Sequence, residues 1–253
     1  MNGYLAFLRK DLVEITRTWR IWVVGLLFLG LGVLDPVLAR YSKQIIGSAL
    51  GSELGQLQLP DPVWADAWAQ WAKDLTQTLV IMVCVLAAGS VAGETSSGTA
   101  VMPLSKPVSR TGFVLAKFTS TMVLTLGALV LGTVVACLVT GIVFDGAQYA
   151  PVWRAAASWA VLAGLVTAWT LVASVRLNGT IAAFGAGFGC YLLISIAAIW
   201  PAARRLSPAG LASVVGQFAS NTNPSWQWPV VTGVLAMIVL VWLACILFGR
   251  REL

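Results

Sequence analysis

The sequence contains no histidine. That removes imidazole general bases, His-containing triads and His-ligated metal centres from consideration. Cysteine is scarce. Cys84, Cys137, Cys190 and Cys245 fall one to each of four separate apolar runs, and no Cys-x-x-Cys pair occurs. Zinc and iron–sulfur sites are therefore not expected, and the thiols read as small buried hydrophobes. Charge is also scarce: Asp, Glu, Lys and Arg make up 10% of the 253 residues, where a soluble domain carries about 25%. Asp35, Lys117, Asp145 and Arg176 all fall at or near the ends of apolar runs. A mid-membrane charge relay is thus not expected, which argues against a self-contained ion-coupled carrier. Together with the missing histidine, it argues against a membrane-embedded enzyme.

What remains is apolar. Hydrophobic residues make up 58% of the chain and the mean hydropathy is +0.86, so the chain has too little polar surface to be solvated and must face lipid. A span needs about 20 residues. Six runs qualify: 21–38, broken near its end by Asp35-Pro36, then 76–92, 114–144, 155–175, 180–200 and 229–248. In hydrocarbon such runs must be helices, because their backbone groups find no water. The third is longer than a bilayer requires, so it is tilted or projecting. The expected fold is an all-α membrane protein of six transmembrane helices, with residues 1–253 as a single transmembrane domain and no separate soluble one.

With the N-terminus inside, ten basic residues fall in cytoplasmic segments and six outside. This satisfies the positive-inside rule and puts both termini and a 93–113 loop in the cytoplasm, with 39–75 and 201–228 facing out. The net charge of +6 is matched by anionic lipid heads and implies no nucleic acid. Residues 1–20 include Asp11 and Glu14, and no convincing small-residue cleavage site follows the apolar run, so a cleaved signal peptide is not expected. Leu5, Leu8, Leu12, Ile15 and Trp19 form one apolar stripe, the pattern of an N-terminal interfacial helix.

The two outward segments carry aromatic clusters. Trp64, Trp68 and Trp71 recur at four and three residues after Pro60-Asp61-Pro62. An interfacial helix leading into the second span accounts for them, since indole rings favour that depth; a substrate-contacting rim is the other reading. Ser207-Pro208 forms a helix start with Ser as N-cap, followed by an apolar face of Leu211, Val214, Val215 and Phe218. Trp226 and Trp228 close that segment. Asn178-Gly179-Thr180 reads as turn chemistry rather than a glycosylation site. Gly89 and Gly93, and Gly185, Gly187 and Gly189, suit close helix packing.

The most informative stretch is polar and lies between the second and third spans. Gly93-x-x-x-x-Gly98-Thr99 is not a phosphate-binding loop, because Ala100 stands where a second polar residue is needed, no Lys follows Gly98, and the segment leaves a helix rather than a strand. Glu94, then Gly98-Thr99, then Ser105-Lys106-Pro107-Val108-Ser109-Arg110 and Lys117 resemble the cytoplasmic docking segment of type-2 ABC exporter permeases. The six-span order and the N-terminal helix resemble that family in outline. Two departures stand out: Gly93 occupies a position that is often basic in the family, and Pro103 shortens any helix before Lys106.

The resemblance implies a cytoplasmic coupling helix between spans two and three, with Glu94, Gly98, Thr99, Lys106, Pro107 and Arg110 as the residues that couple to a separate dimeric ABC ATPase. ATP and Mg would then be bound by that partner and no cofactor by this chain. It further implies a second copy of the chain or a related permease, a place in the bacterial inner membrane, and outward movement of an amphiphile such as a lipid, peptide or antibiotic. The 64–71 and 226–228 tryptophans are then candidate substrate or interface aromatics. The alternative is an assembly component for maturation of an extracytoplasmic enzyme such as a multicopper enzyme.

Overall fold

A computed structural model describes residues 3–50, 61–96, 110–177 and 179–250, with the backbone alone for 46–50, 92 and 94–96. No strand occurs among the described residues, and six helices are long and apolar enough to cross a membrane. The chain opens with α1 (Gly3–Arg17) and α2 (Trp19–Leu50). Next come α3 (Trp64–Asp74), one π turn (Leu75–Leu79) and α4 (Val80–Ser96), stacked end to end. The long helices α5 (Arg110–Val143) and α6 (Ala150–Arg176) follow, then α7 (Thr180–Ala197) and the short α8 (Pro201–Leu206). A 3₁₀ turn (Pro208–Gly210) leads into α9 (Leu211–Ala219), and α10 (Gln227–Gly249) ends the described chain.

The spans are Trp19–Ile45, Trp64–Val91, Arg110–Val143, Ala150–Arg176, Thr180–Ala197 and Gln227–Gly249. Helix α6 is buried along most of its length and packs against α3, α4, α5, α7, α9 and α10. Its Trp159 meets Phe28 of α2 edge-on at 5.9 Å between ring centroids, and Phe28 meets Trp71 at 6.5 Å. These three rings are fully or almost fully buried and tie α2, α3 and α6 together. Edge-to-face pairs add to the burial term by about 0.5–1.5 kcal/mol each.

The first span differs from expectation. Asp35-Pro36 does not break it; α2 runs through Pro36 to Leu50. Proline removes one amide and presses on the carbonyl four residues earlier, which here belongs to Gly32. The helix persists because α2 lies against α5 at very short range. A Cβ built on Gly32 would stand 2.6 Å from the Gly132 carbonyl, and one on Gly132 would stand 2.9 Å from the Phe28 carbonyl. Packing of this kind holds a helix that local propensity would end.

The second span also differs. It begins at Trp64 rather than 76, and the tryptophan-bearing helix is part of the bundle, not a separate interfacial element. Asp66 caps its start by accepting the Val63 amide at 2.8 Å. At the π turn, the Trp159 indole donates to the Leu75 carbonyl at 2.6 Å, and the Tyr191 hydroxyl donates to the Thr76 carbonyl. Side chains from α6 and α7 thus bond carbonyls where the regular ladder is interrupted.

Other expectations agree with the structure. Ser207 caps its helix start, accepting the Ala209 amide at 3.3 Å, and Leu211, Val214, Val215 and Phe218 are all buried. Gly179 takes a positive φ of 122° at the turn before α7. Of the anticipated small-residue contacts only Gly187 makes a close crossing, against Thr170; Gly93, Gly185 and Gly189 face open space.

Candidate coupling and binding sites

Span three starts at Arg110, directly after the polar segment, and its first turns are a junction. Phe113 stacks on Phe248 of α10 at 5.3 Å and receives Phe7 of α1 edge-on at 5.6 Å. Around these rings Val91 of α4, Leu171 and Val175 of α6, and Ala244 of α10 form a cluster distinct from the main core. The Arg110 guanidinium donates to the Gly249 carbonyl at 3.1 Å, at the C-terminus of α10, where the helix dipole favours a cation.

One turn and more along α5, Lys117 donates to Asp11 of α1 at 2.9 Å, and both side chains are more than nine-tenths buried. The Lys117 ammonium also lies 5.5 Å from the Phe113 ring centre. Beside it the Tyr4 hydroxyl donates to Thr119 at 3.1 Å. The side of α1 that faces α5 therefore carries Tyr4, Phe7, Leu8 and Asp11, of which only Leu8 belongs to the anticipated apolar stripe; Leu5 and Trp19 of that stripe are exposed. Asp11 was missed as a site residue. Its spacing of four from Phe7 and seven from Tyr4 describes a second stripe, turned by one residue from the first, and the need of Lys117 for a counter-charge selects it.

The expectation that ionisable residues keep to the span ends fails at Asp35. This residue is fully buried inside α2, with helix continuing for more than a dozen residues on both sides. Asp74 and Lys73 of α3 are charged groups that bear on it, yet neither of its oxygens accepts a hydrogen bond from a described residue. Toward the C-terminal end of α2, Lys43 donates to Asp61 at 2.8 Å, which holds that exposed carboxyl below its usual range.

Of the residues implied by the resemblance, Glu94 lies on the last turns of α4, where only the backbone is described. Gly98, Thr99, Lys106 and Pro107 lie outside the described residues, as does the expected coupling helix. Arg110 is described, and it turns to α10 as above. Among the tryptophans, Trp68 and Trp71 are fully buried and do not form an exposed rim. The Trp68 indole donates to the Gln148 carbonyl at 2.9 Å. Trp64 is half-buried against the core, while Trp226 and Trp228 remain exposed. A period of three to four is the same for a helix lying on an interface and for one entering a core; only the neighbours α2, α6 and α9 distinguish them.

The four thiols are free; Cys84 and Cys245 are buried and Cys137 and Cys190 half-buried. No individually curated protein shows significant similarity to the chain. The profile of a family described as ABC-2 family transporter protein matches residues 5–206, which takes in α1, the first five spans and the polar segment between α4 and α5. This match covers more than half of the chain and agrees with the six apolar helices found among the described residues: the chain belongs to the ABC-2 family of transporter membrane proteins.

Proposed function

We propose that the chain is the membrane-embedded half of an ATP-driven exporter, coupled to a separate cytoplasmic ATPase through residues 93–113. The termini then lie in the cytoplasm of a bacterial cell whose inner membrane holds the protein. ATP and Mg belong to the partner, which acts as a dimer beneath two copies of this chain or beneath this chain and a related permease. Closure of the ATPases on ATP displaces the 93–113 segment, and the spans tilt to release an amphiphile outward. Leu5 and Trp19, exposed on α1 and at the start of α2, suit contact with lipid.

The observation that carries this proposal is the junction at the head of α5. A push on the segment before Arg110 reaches α1 through Asp11 and Phe7, and α10 through Phe248 and Gly249, without passing through loose loops. Glu94 and Lys106 are the residues proposed to meet the ATPase. Arg110 has an intramolecular partner already, which makes it a hinge point as much as a docking group.

The test is Glu94→Ala, with and without Lys106→Ala, in the full complex. Removing one partner of a desolvated charge pair costs about 2–5 kcal/mol of association. The variants are expected to fold with an unchanged melting temperature as isolated chains, while copurification of an ATPase or substrate-stimulated hydrolysis falls at least tenfold. Normal assembly and transport in the double variant would mean that these charges face only water and lipid.

A further inference from the structure

A separate feature stands at the end of the bundle away from the termini junction. The first turns of α6, the end of α9 and the segment entering α10 border an open pocket of about 510 Å³. Phe218, Trp226 and Val230 supply its apolar wall, and Arg154, Ser158 and Asn223 its polar side. A volume of this order holds a small organic ligand, and a mainly apolar lining with a few polar groups is what such sites present.

The polar side is open to solvent. Arg154 and Asn223 are exposed, and neither the guanidinium nor the amide makes a hydrogen bond or ion pair with any described residue, so both are available to a ligand. Ser158 already spends its proton on the Arg154 carbonyl at 2.9 Å, so toward the pocket it acts as an acceptor. Arg154 also stands near the N-terminus of α6, where the helix dipole contributes partial positive charge. No carboxylate among the described residues lies within ion-pair distance of Arg154, so an incoming anion meets no competitor there. An anionic head group complements Arg154 at the mouth of the pocket, and the wall opposite is apolar and aromatic. An anion alone would leave Phe218, Trp226 and Val230 unused; a neutral apolar molecule would leave Arg154 unmatched.

We propose that this pocket binds an anionic amphiphile, with a phosphate- or carboxylate-type head on Arg154 and Asn223 and an apolar body against Phe218, Trp226 and Val230. Arginine suits such a head because its planar fork donates two parallel hydrogen bonds. As a station on an export route the pocket rests on the function proposed above. As a binding site it does not, because affinity is measured on the chain without its ATPase.

The experiment uses the full chain purified in dodecyl maltoside and reads its melting temperature against added ligand, since a ligand that binds the folded state stabilises it in proportion to occupancy. Dodecyl phosphate is expected to raise the melting temperature saturably, and inorganic phosphate to leave it unchanged. Arg154→Gln should weaken dodecyl phosphate at least tenfold, Trp226→Ala severalfold, and Arg154→Lys, which keeps the charge, much less than Arg154→Gln. Arg205→Gln on α8, outside the pocket, should have no effect. A further arm replaces dodecyl phosphate with phosphatidylglycerol. Binding that depends on Arg154 identifies a two-chain membrane lipid as the occupant, and absence of it identifies a single-chain molecule. The proposal is overturned if Arg154→Gln keeps the parental affinity, or if inorganic phosphate stabilises as strongly as the amphiphile. Should Arg154→Gln fail to fold, Trp226→Ala and Arg154→Lys still decide the matter. Loss of export with ligand affinity intact would count against the transport reading alone.

Discussion

At the scale of single residues, Asp11 and Lys117 concentrate the risk. Each is a charge taken out of water, and the pair is tolerable only while both members are present. Breaking a buried pair from one side costs about 3–5 kcal/mol, whereas replacing both members by apolar residues of similar size is often neutral. Asp11→Leu or Lys117→Met alone should therefore lower the melting temperature sharply. The double variant should recover most of the loss, and a cycle of the four proteins in detergent measures it. Additive losses would show that the two side chains do not depend on one another. Asp35 was harder to foresee than Lys117. Its neighbour Pro36 makes it look like the last residue of a span, and nothing local says that α5 will hold the helix together beyond it.

At the scale of elements, the π turn at Leu75–Leu79 is where span two is least self-sufficient. Its Leu75 carbonyl depends on Trp159 and its Thr76 carbonyl on Tyr191. Trp159→Phe keeps an aromatic ring beside Phe28 but withdraws the donor. A buried carbonyl left unmatched costs about 1–3 kcal/mol, so the variant should lose that much stability. It should also show faster amide exchange at 75–80 with the start of α5 unaffected; equal acceleration in both places would mean general loosening. The six spans were legible because long apolar composition is a local property. The buried face of α9 and its Ser207 cap were legible for the same reason. The course of α2 through Pro36, the placement of Trp68 and Trp71 and the orientation of α1 were not, because each is decided by another helix. In the polar segment, residue identities pointed to the family while the geometry of Gly98 to Pro107 lies outside the described residues.

At the scale of the whole molecule, the arrangement of basic residues can be tested against the membrane. With all four native cysteines replaced, single cysteines at Ser52 and Ser220 should react with an impermeant thiol reagent in intact cells, and one at Ser105 should react only after permeabilisation. Labelling at Ser105 in intact cells would reverse the orientation and, with it, the placing of the ATPase. A last consequence follows from the burial of α6. A helix buried along most of its length by its neighbours is a filled mast, and the described residues wound around it leave no bore along its axis. On the function proposed above, the amphiphile travels along the perimeter of the bundle rather than through its middle. On that proposal one wall of the passage belongs to this chain and the opposite wall to a second copy or a related permease, which makes the conduit a property of the pair.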